Sequence, residues 1–426
     1  MTSFSFPRPH LWMSATPPRS PGLARSTPAH RPWVLAAWGL ALLLAALPGS
    51  MGGAHALAAQ APAPPDREYR VFVGSEATDR ISLVVFGPGG AEVEREFVVS
   101  FYPTESDGPH GLAMSPDGAH LFVTTGHGRP FGNLWKLDPL TGRSLGRVEL
   151  GFFPASLDIS PDGALAYVAN FNLHGDMVPS SISVVSTDRM IEVSRLETCT
   201  MPHGSRLSGD GRRQFSTCMM DDLLVEVDAW GLAVARHFQL APGAEAGMPG
   251  APGGHTEMTH TGRSERDGER EGEMHAHHGG MPEAVCSPTW AQPAADDRSV
   301  FVACNRSGEV VEIDLESWSL VRRIPAAPGI YNLEVTSDGR RLVATNKQDH
   351  TVSVFDLASG TEIARLPTHR RVVHGVVISP DDRYAFITVE GVGSEPGTLE
   401  ILDLEAGEFV ARVDLPPMSA GVAFWR

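Results

Sequence analysis

The order of apolar and polar residues repeats six times along the chain. Each unit joins an apolar stretch, a turn of the Pro/Ser-Asp-Gly type and a second apolar stretch, as in PHGLAMSPDGAHLFVTT (109–125) and PASLDISPDGALAYVAN (154–170). The turn aspartates lie 45, 48, 86, 42 and 43 residues apart, and the longest spacing is one ordinary unit plus an insertion. They are Asp117, Asp162, Asp210, Asp296, Asp338 and Asp381. Such a period indicates a repeat architecture.

Each unit continues with a third β-rich stretch that ends in Asp, a turn and a fourth stretch. Four short antiparallel strands in about 43 residues predict a propeller blade. The C-terminal SAGVAFWR (419–426) looks like a lone first strand, whereas residues 69–75, 79–86 and 93–99 look like strands two to four. Joining both ends in one blade removes the free sheet edges. We therefore predict an all-β fold, a seven-bladed β-propeller over 69–426.

The SPDG turns and the stretches VAN (168–170) and ATN (344–346) resemble the YVTN-type repeat of YncE-like exported propellers. The resemblance covers nearly all of residues 66–426 and implies a seven-bladed ring in which the first strands line a central channel. It does not imply one function, because propellers host binding proteins, scaffolds and several unrelated enzymes.

Residues 1–58 have the organisation of a signal peptide with a long n-region. Residues 1–65 contain no Asp or Glu, and the apolar run WVLAAWGLALLLAAL precedes small residues where cleavage after Ala56 or Ala58 fits. The alternative is a retained anchor, for which the run is short against the ~20 residues of a bilayer span. We expect a periplasmic or extracellular protein with a short linker at 59–68 and no stable membrane span after cleavage.

Composition narrows the function classes. The 34 basic and 51 acidic residues give a net charge of −17, which argues against a nucleic-acid partner. The chain has no H-E-x-x-H or P-loop motif. Four acids near the channel mouth are expected to be solvated rather than catalytic. They are Asp158, Asp221, Asp222 and Glu390.

The position seven residues before each turn aspartate should repeat around the channel mouth. Its residues are His110, Ala155, His203, Thr289, Tyr331, His374 and, in the closing blade, Ala420. Three imidazoles converging on one point would make a site for zinc or copper, so His110, His203 and His374 are a candidate metal site. Tyr331 and Thr289 should lie at the same mouth. The alternative is that these histidines only shape the strand and hydrogen-bond to neighbouring blades.

The four cysteines follow the repeat. Cys218 and Cys304 lie eight residues after their turn aspartates, and Cys199 and Cys286 lie 11 and 10 residues before the same aspartates. Antiparallel pairing would bring the two positions together within each blade. In an oxidising compartment this predicts the disulfides Cys199–Cys218 and Cys286–Cys304. Thiolate ligation of copper is the alternative.

The insertion at 242–285 has almost no aliphatic residues and many Gly, Pro and charged residues, which predicts a disordered loop over the channel mouth. Imidazole and thioether groups suit copper, so the insertion is a second candidate metal site. The candidate ligands are His255, His260, His275, His277, His278, Met258 and Met274. The alternative is a solubilising linker.

These observations favour an exported, non-catalytic propeller whose mouth binds a metal ion, preferably copper, or a protein partner. One alternative is an enzyme on the same face, either a lactonase-like hydrolase or a copper-dependent oxidoreductase. The latter resembles nitrous oxide reductase, from which the chain departs because only three channel histidines are found. A metal-free scaffold for protein–protein interaction is the third hypothesis.

Overall fold

The strands form a ring of seven antiparallel sheets. A computed structural model describes residues 64–100, 104, 106–127, 131–252 and 283–425 of the chain. Six sheets have four strands and one has five, and apart from the sheet that both ends of the chain share, the neighbouring strands of each sheet follow the order of the chain. The predicted seven-bladed β-propeller is confirmed.

The first three blades take the following strands, with blade 1 shared by both ends of the chain. Blade 1 holds β29 (Ser419–Trp425), β1 (Tyr69–Ser75), β2 (Arg80–Gly87) and β3 (Gly90–Val98). Blade 2 holds β4 (Pro109–Met114), β5 (Leu121–Thr125), β6 (Asn133–Leu137) and β7 (Ser144–Glu149). Blade 3 holds β8 (Pro154–Ile159), β9 (Leu165–Asn170), β10 (Pro179–Ser186) and β11 (Ile191–Thr200).

Blades 4 to 7 continue the ring. Blade 4 holds β12 (Pro202–Leu207), β13 (Arg213–Cys218), β14 (Leu223–Asp228), β15 (Ala233–Gln239) and β16 (Ala246–Pro249). Blade 5 holds β17 (Pro288–Pro293), β18 (Ser299–Cys304), β19 (Glu309–Asp314) and β20 (Ser319–Pro325). Blade 6 holds β21 (Ile330–Val335), β22 (Arg341–Asn346), β23 (Thr351–Asp356) and β24 (Thr361–Pro367). Blade 7 holds β25 (Val373–Ile378), β26 (Tyr384–Val389), β27 (Gly397–Asp403) and β28 (Glu408–Leu415).

The two ends of the chain close the ring as predicted. β29 pairs antiparallel with β1, with Arg70 opposite Trp425 and Ser75 opposite Ser419. The hydroxyl oxygens of the last pair lie 2.9 Å apart. Because β1 then has neighbours on both sides, neither terminal strand leaves an open edge in the ring.

The core lies between neighbouring blades. Second strands such as β22 (RLVATN) are almost wholly buried, whereas outer strands such as β24 alternate half-buried and exposed residues. A fully covered strand needs apolar residues on both faces, while an outer strand covers the core with one face only. The channel side is thus left to the first strands, which position the functional site.

In blades 2 to 7 each first strand is joined to its second strand by the repeated turn, and we call this end of the ring the turn face. In blade 3 the hydroxyl of Ser160 donates to Asp162 Oδ1 at 2.5 Å, and the backbone N–H of Leu165 donates to Ser160 Oγ at 2.9 Å. Gly163 adopts φ +74°, a left-handed conformation that glycine takes without strain. The opposite end, where the second strands end, is the mouth face.

Both predicted disulfides are confirmed. Cys199 bonds to Cys218, and Cys286 bonds to Cys304. Two such bonds indicate an oxidising, exported environment. The predicted signal peptide at 1–58 lies outside the described residues. In the described ranges no helix is long and apolar enough to cross a membrane.

The insertion departs in part from its prediction. Its first residues form β16, which pairs with β15 and places His237 opposite Met248. The fourth blade therefore has a fifth strand where the sequence predicted a disordered loop from residue 242. Residues 253–282, with every histidine and methionine of the candidate loop metal site, lie outside the described part of the chain.

Candidate functional site

The residues seven positions before the turn aspartates form a ring at the mouth end of the channel, which we call the inner ring. At five of its positions a hydroxyl group of the preceding blade binds the backbone carbonyl. Thr124 Oγ1 donates to the carbonyl of Ala155 at 2.6 Å, and Thr345 Oγ1 donates to the carbonyl of His374 at 2.7 Å. The rigid sheets thereby fix where the inner-ring side chains begin. The members are His110, Ala155, His203, Thr289, Tyr331, His374 and Ala420.

Four inner-ring side chains meet at the channel axis. The ring centre of His110 lies 6.1 Å from that of His203 and 5.5 Å from that of His374. The ring of Tyr331 lies 5.4 Å from His203 and 4.8 Å from His374. The structure therefore brings together all three histidines of the candidate channel site, with Tyr331 between two of them.

His203 is held by two hydrogen bonds. Its Nδ1 lies 2.8 Å from the carbonyl oxygen of Thr289, which can only accept, so Nδ1 carries the proton. Its Nε2 lies 3.0 Å from the hydroxyl of Tyr331, which then donates. Burial lowers the pKa of His203 to about 3, so the imidazole is neutral at pH 7. Both of its nitrogens are engaged within the protein.

A second ring, not singled out in the sequence, lies directly after the second strands, and we call it the outer ring. Its members are Glu76, Gly126, Phe171, Met219, Asn305, Lys347 and Glu390. It lies one residue beyond the position that holds Cys218 and Cys304 in their blades. Four of the seven members contact an inner-ring side chain, and they supply the charges of the site.

Glu76 of the outer ring binds two histidines. Its Oε1 lies 2.8 Å from His110 Nδ1, and its Oε2 lies 2.7 Å from His127 Nε2. Burial opposes ionisation of the Glu76 carboxyl. His110 stabilises the carboxylate by its charge and by a hydrogen bond, and His127 adds a second hydrogen bond. Together these interactions outweigh burial and lower the pKa of Glu76. An ionised carboxylate only accepts, so both histidine nitrogens donate. On a neutral His110 ring, Nε2 is therefore the nitrogen that can take a proton.

The opposite side of the mouth carries an ion pair. Lys347 Nζ lies 2.7 Å from Glu390 Oε1 and 4.6 Å from the ring centre of Tyr331. Burial would lower the pKa of Lys347, but Tyr331 and Glu390 raise it, so the ammonium stays charged. Burial and this ammonium together lower the pKa of His374 well below its usual value. The site thus sets one fixed cation beside neutral imidazoles.

A small cavity of about 40 Å³ lies in the channel against the three histidine rings. Within the described residues, three buried polar atoms of its lining have no hydrogen-bond partner: His374 Nδ1, Trp290 Nε1 and Asn332 Oδ1. A polar cavity of this volume has room for a few ordered water molecules. Unlike those atoms, His110 Nε2 is on a side chain that keeps an exposed fraction of 11%.

The candidate metal site has its residues together but no metal geometry. Among the residues that the structure describes, no group of three or more His, Cys, Asp and Glu side chains is placed to hold a metal ion. His203 would have to release Tyr331 to offer Nε2, and His110 Nδ1 is committed to Glu76. The shared metal ion therefore stays a prediction.

The four acids expected to be solvated all bind protein groups instead. Asp158 and Asp221 accept backbone N–H bonds from Leu207 and Thr200, at 2.9 and 2.6 Å. Asp222 accepts from the backbone of Val285 at 2.6 Å and of Ser287 at 2.7 Å. Glu390 forms the ion pair with Lys347. Three of these carboxylates thus hold backbone, and only Glu390 belongs to the site.

Comparison with known proteins establishes the fold class and no more. No family model and no curated protein matches the chain. Solved propellers do match. A periplasmic gluconolactonase from Pseudomonas aeruginosa is 19% identical at a TM-score of 0.60, covering 84% of this chain and 99% of its own. A protein from Bacteroides uniformis described as a candidate 6-phosphogluconolactonase is 17% identical at a TM-score of 0.59, and the match again covers 84% of this chain and 99% of its own.

Hydrazine synthase from Kuenenia stuttgartiensis is also similar, at 18% identity and a TM-score of 0.56, covering 77% of this chain and 93% of its own. At such low identities these likenesses show a shared seven-bladed propeller fold. Function has to be argued from the site.

Proposed function

We propose that the chain is an exported propeller hydrolase that opens a cyclic ester at the channel mouth. The observation that carries this proposal is the hydrogen bond between Glu76 Oε1 and His110 Nδ1, 2.8 Å long. A carboxylate that fixes the tautomer of an imidazole leaves the second nitrogen as a general base. The two similar structures described as lactonases support the choice of a lactone over other esters.

In this mechanism His110 Nε2 takes a proton from water as the water oxygen attacks the lactone carbonyl carbon. The charged Lys347 stabilises the negative charge that develops on the carbonyl oxygen. The bond between the carbonyl carbon and the ring oxygen then breaks, and the leaving oxygen takes the proton back from His110. The product is the open hydroxy acid, and all atoms and charges balance.

Access from the mouth face fits this assignment. The side chains of His127 and Lys347 keep exposed fractions of 26% and 30%, whereas His203 is fully buried. A ligand arriving from solvent would meet the Lys347 ammonium and the His110 imidazole before the more deeply buried His203 and His374. His203 and Tyr331 then act as a packed layer that positions His374 and closes the channel behind the ligand.

The test is hydrolysis of δ-valerolactone and glucono-δ-lactone, followed by acid release at constant pH. We expect saturable turnover that falls at least 100-fold in His110→Gln, because general-base catalysis contributes about 10²–10⁴-fold. His120→Gln, in the turn at the other end of the same blade, is the matched control and should keep wild-type turnover. Hydrolysis no faster than in buffer, or equal rates in the wild type and His110→Gln, would reject the proposal.

A second candidate function is binding of copper or zinc by His110, His203 and His374. It is favoured by the lowered pKa values of His203 and His374, because metal ligands must be neutral imidazoles. The ring centres of His374 and His203 lie 5.5 and 6.1 Å from that of His110. At these distances small rotations of the rings would bring three nitrogens toward one ion. The proposal requires that Tyr331 release His203.

Calorimetry with Cu²⁺ and Zn²⁺ tests this candidate. The wild type and a variant lacking residues 253–282 should both bind one ion with high affinity, and His203→Ala should lose that ion. Phe171→Leu, which changes the aromatic neighbour of His203 but no nitrogen, is the control. If His203→Ala binds as well as the wild type, the ion is not held in the channel.

A further inference from the structure

The mouth of the channel is divided into a polar and an apolar half. Blades 1, 6 and 7 supply Glu76, Lys347 and Glu390 to the outer ring, whereas blades 3 and 4 supply Phe171 and Met219. A cluster of apolar side chains fills the second half. Its members are Phe153, Ala155, Phe171 and Met201, with Met219 and Met220 packed against them.

The apolar half is in contact with the histidines. The ring centre of Phe153 lies 5.4 Å from that of His110 and 4.7 Å from that of His127. The ring of Phe171 lies 4.8 Å from that of His203. The proposed reacting position at His110 therefore sits on the border between the charged and the apolar half.

The apolar half continues to the surface through three neighbouring loops of the mouth face, in blades 2 and 3. Backbone hydrogen bonds tie these loops together, from Gly132 N to Gly151 O at 3.0 Å and from Asn172 N to Phe152 O at 3.0 Å. Their exposed apolar side chains form what we call the apolar rim. It consists of Phe131, Phe152, Leu173, Met177 and Val178, each with an exposed fraction of 38–51%.

Two rings of the rim are arranged as a flat platform. Phe131 and Phe152 are stacked, with centres 4.8 Å apart and planes inclined by 25°. Each keeps an exposed fraction of 42%. Phe152 is followed directly by Phe153, whose ring contacts His110, so the platform and the site are joined through adjacent residues.

We propose that the ligand of this site is amphipathic, with an unbranched alkyl chain that lies along the apolar half and reaches the rim. This inference rests on the proposed function and names its substrate class as lactones with an alkyl substituent. The cyclic ester lies between His110 and Lys347, and the chain runs over Met219 and Phe171 toward Phe152. Methionine and aromatic side chains suit such a chain because they adapt to its shape.

A protein partner explains the rim less well. Five exposed side chains are far fewer than the 20–30 residues that each side of a stable protein interface contributes. The apolar surface also continues inward to the histidines, where no flat partner could follow. An alkyl chain needs only a narrow apolar track with a polar group at its inner end, and the mouth provides both.

The test compares γ-lactones that differ only in an unbranched alkyl substituent, from methyl to octyl. A buried methylene is worth about fourfold in affinity, so we expect kcat/KM to rise about two- to fourfold per added methylene. The double variant Phe131→Ser/Phe152→Ser should flatten this rise at the longer chains. Trp230→Ser, which removes an exposed ring from the turn face, is the control and should keep the wild-type rise.

A second measurement separates this inference from the proposed function. The matching γ-lactams are not hydrolysed, and calorimetry reports their affinity without any turnover. Affinity that rises with chain length and flattens in Phe131→Ser/Phe152→Ser supports the amphipathic ligand even where no lactone is hydrolysed. Turnover that is independent of chain length, chain dependence that survives in the double variant, or no lactam binding at all would overturn the inference.

Discussion

The two faces of the ring use the same repeat in opposite ways. On the turn face, five blades place a Ser or Thr hydroxyl on the turn aspartate, as in Ser160–Asp162 at 2.5 Å and Thr336–Asp338 at 2.7 Å. On the mouth face, equivalent positions carry unlike residues, such as Glu76, Phe171 and Lys347. A position that only has to form a blade can use the same contact in five blades. Chemistry at the axis needs a different group from each blade.

This difference shows where a propeller can vary without losing its fold. At five inner-ring positions the backbone is held by a hydroxyl of the preceding blade, as in Thr388 Oγ1 to the carbonyl of Ala420 at 2.6 Å. The side chains at those positions are therefore free to differ while their starting points stay fixed. A site built on rigid strands can hold its groups more closely than one built on loops.

The largest effect is expected for Glu76→Gln on the mouth face. The amide can donate to His110 and so reverses the tautomer that the carboxylate imposes, which should lower kcat about 100-fold or more. KM should change much less, because Glu76 acts through His110 and does not touch the substrate. Initial rates of hydrolysis over a range of lactone concentrations give both kcat and KM.

A wild-type kcat in Glu76→Gln would show that the carboxylate only packs the mouth. Thermal unfolding of the same variant is the control for folding. Asp138→Asn, which removes an exposed turn carboxylate in blade 2, should leave both kcat and KM unchanged.

The second effect concerns the disulfides, which lie on the mouth face but take no part in the proposed reaction. Removing Cys286–Cys304, whose cysteines are 18 residues apart, by Cys286→Ala/Cys304→Ala should lower the free energy of unfolding by about 3 kcal/mol. Most of this loss comes from the entropy that the unfolded chain regains. Urea unfolding measures the loss.

The equivalent pair Cys199–Cys218, with a separation of 19, should give nearly the same loss. A much larger loss for one pair would mean that this bond also holds the site. Lactone turnover below the unfolding transition separates the two, because a purely structural bond leaves it unchanged.

The third effect is a pH dependence of stability caused by His203. Its pKa is lowered to about 3 in the folded protein. Below about pH 6.5, His203 therefore binds a proton in the unfolded chain but stays neutral in the folded protein. Stability should therefore fall with pH from about 6.5 toward 3, by ~1.4 kcal/mol per pH unit for this residue. His203→Asn keeps an N–H donor for Thr289 but does not titrate, and should remove that part of the slope.

Urea unfolding of wild type and His203→Asn between pH 6 and 4 gives the two slopes. His174→Asn, at an exposed side chain of the mouth face, is the control and should follow the wild type. Equal slopes for wild type and His203→Asn would show that water reaches His203 in the folded protein.

The turn face, the inner ring and the disulfides could be predicted from the sequence because each recurs at one repeat position. The outer ring could not, since its aligned residues Gly126, Phe171 and Asn305 share no property that marks a site. Its main contact also crosses blades: Glu76 belongs to blade 1 and His110 to blade 2. Only the closed ring shows that neighbourhood. β16 was missed because AGMP has no strand pattern, and it pairs because β15 offers an open edge.

The smallest effect is expected on the turn face, where the turn of blade 5 lacks the hydroxyl that the turn of blade 3 has. Ser160 donates to Asp162 and accepts from the backbone of Leu165, so Ser160→Ala should lower the free energy of unfolding by about 1 kcal/mol. Blade 5 has Ala294 at the equivalent position, where its backbone N–H donates to the carbonyl of Ser299 at 2.8 Å, as the backbone N–H of Ser160 does to the carbonyl of Leu165. Ala294→Ser should therefore gain part of what Ser160→Ala loses.

Neither turn variant should change lactone turnover, because both lie at the end of the ring away from His110. Urea unfolding at pH 7 measures the two stability changes, and the lactone assay measures the rates. If Ala294→Ser destabilises the protein, the turn of blade 5 differs from the others in more than its missing hydroxyl. If either change alters turnover, the two faces are coupled through the blade, and the division between a structural and a chemical face fails.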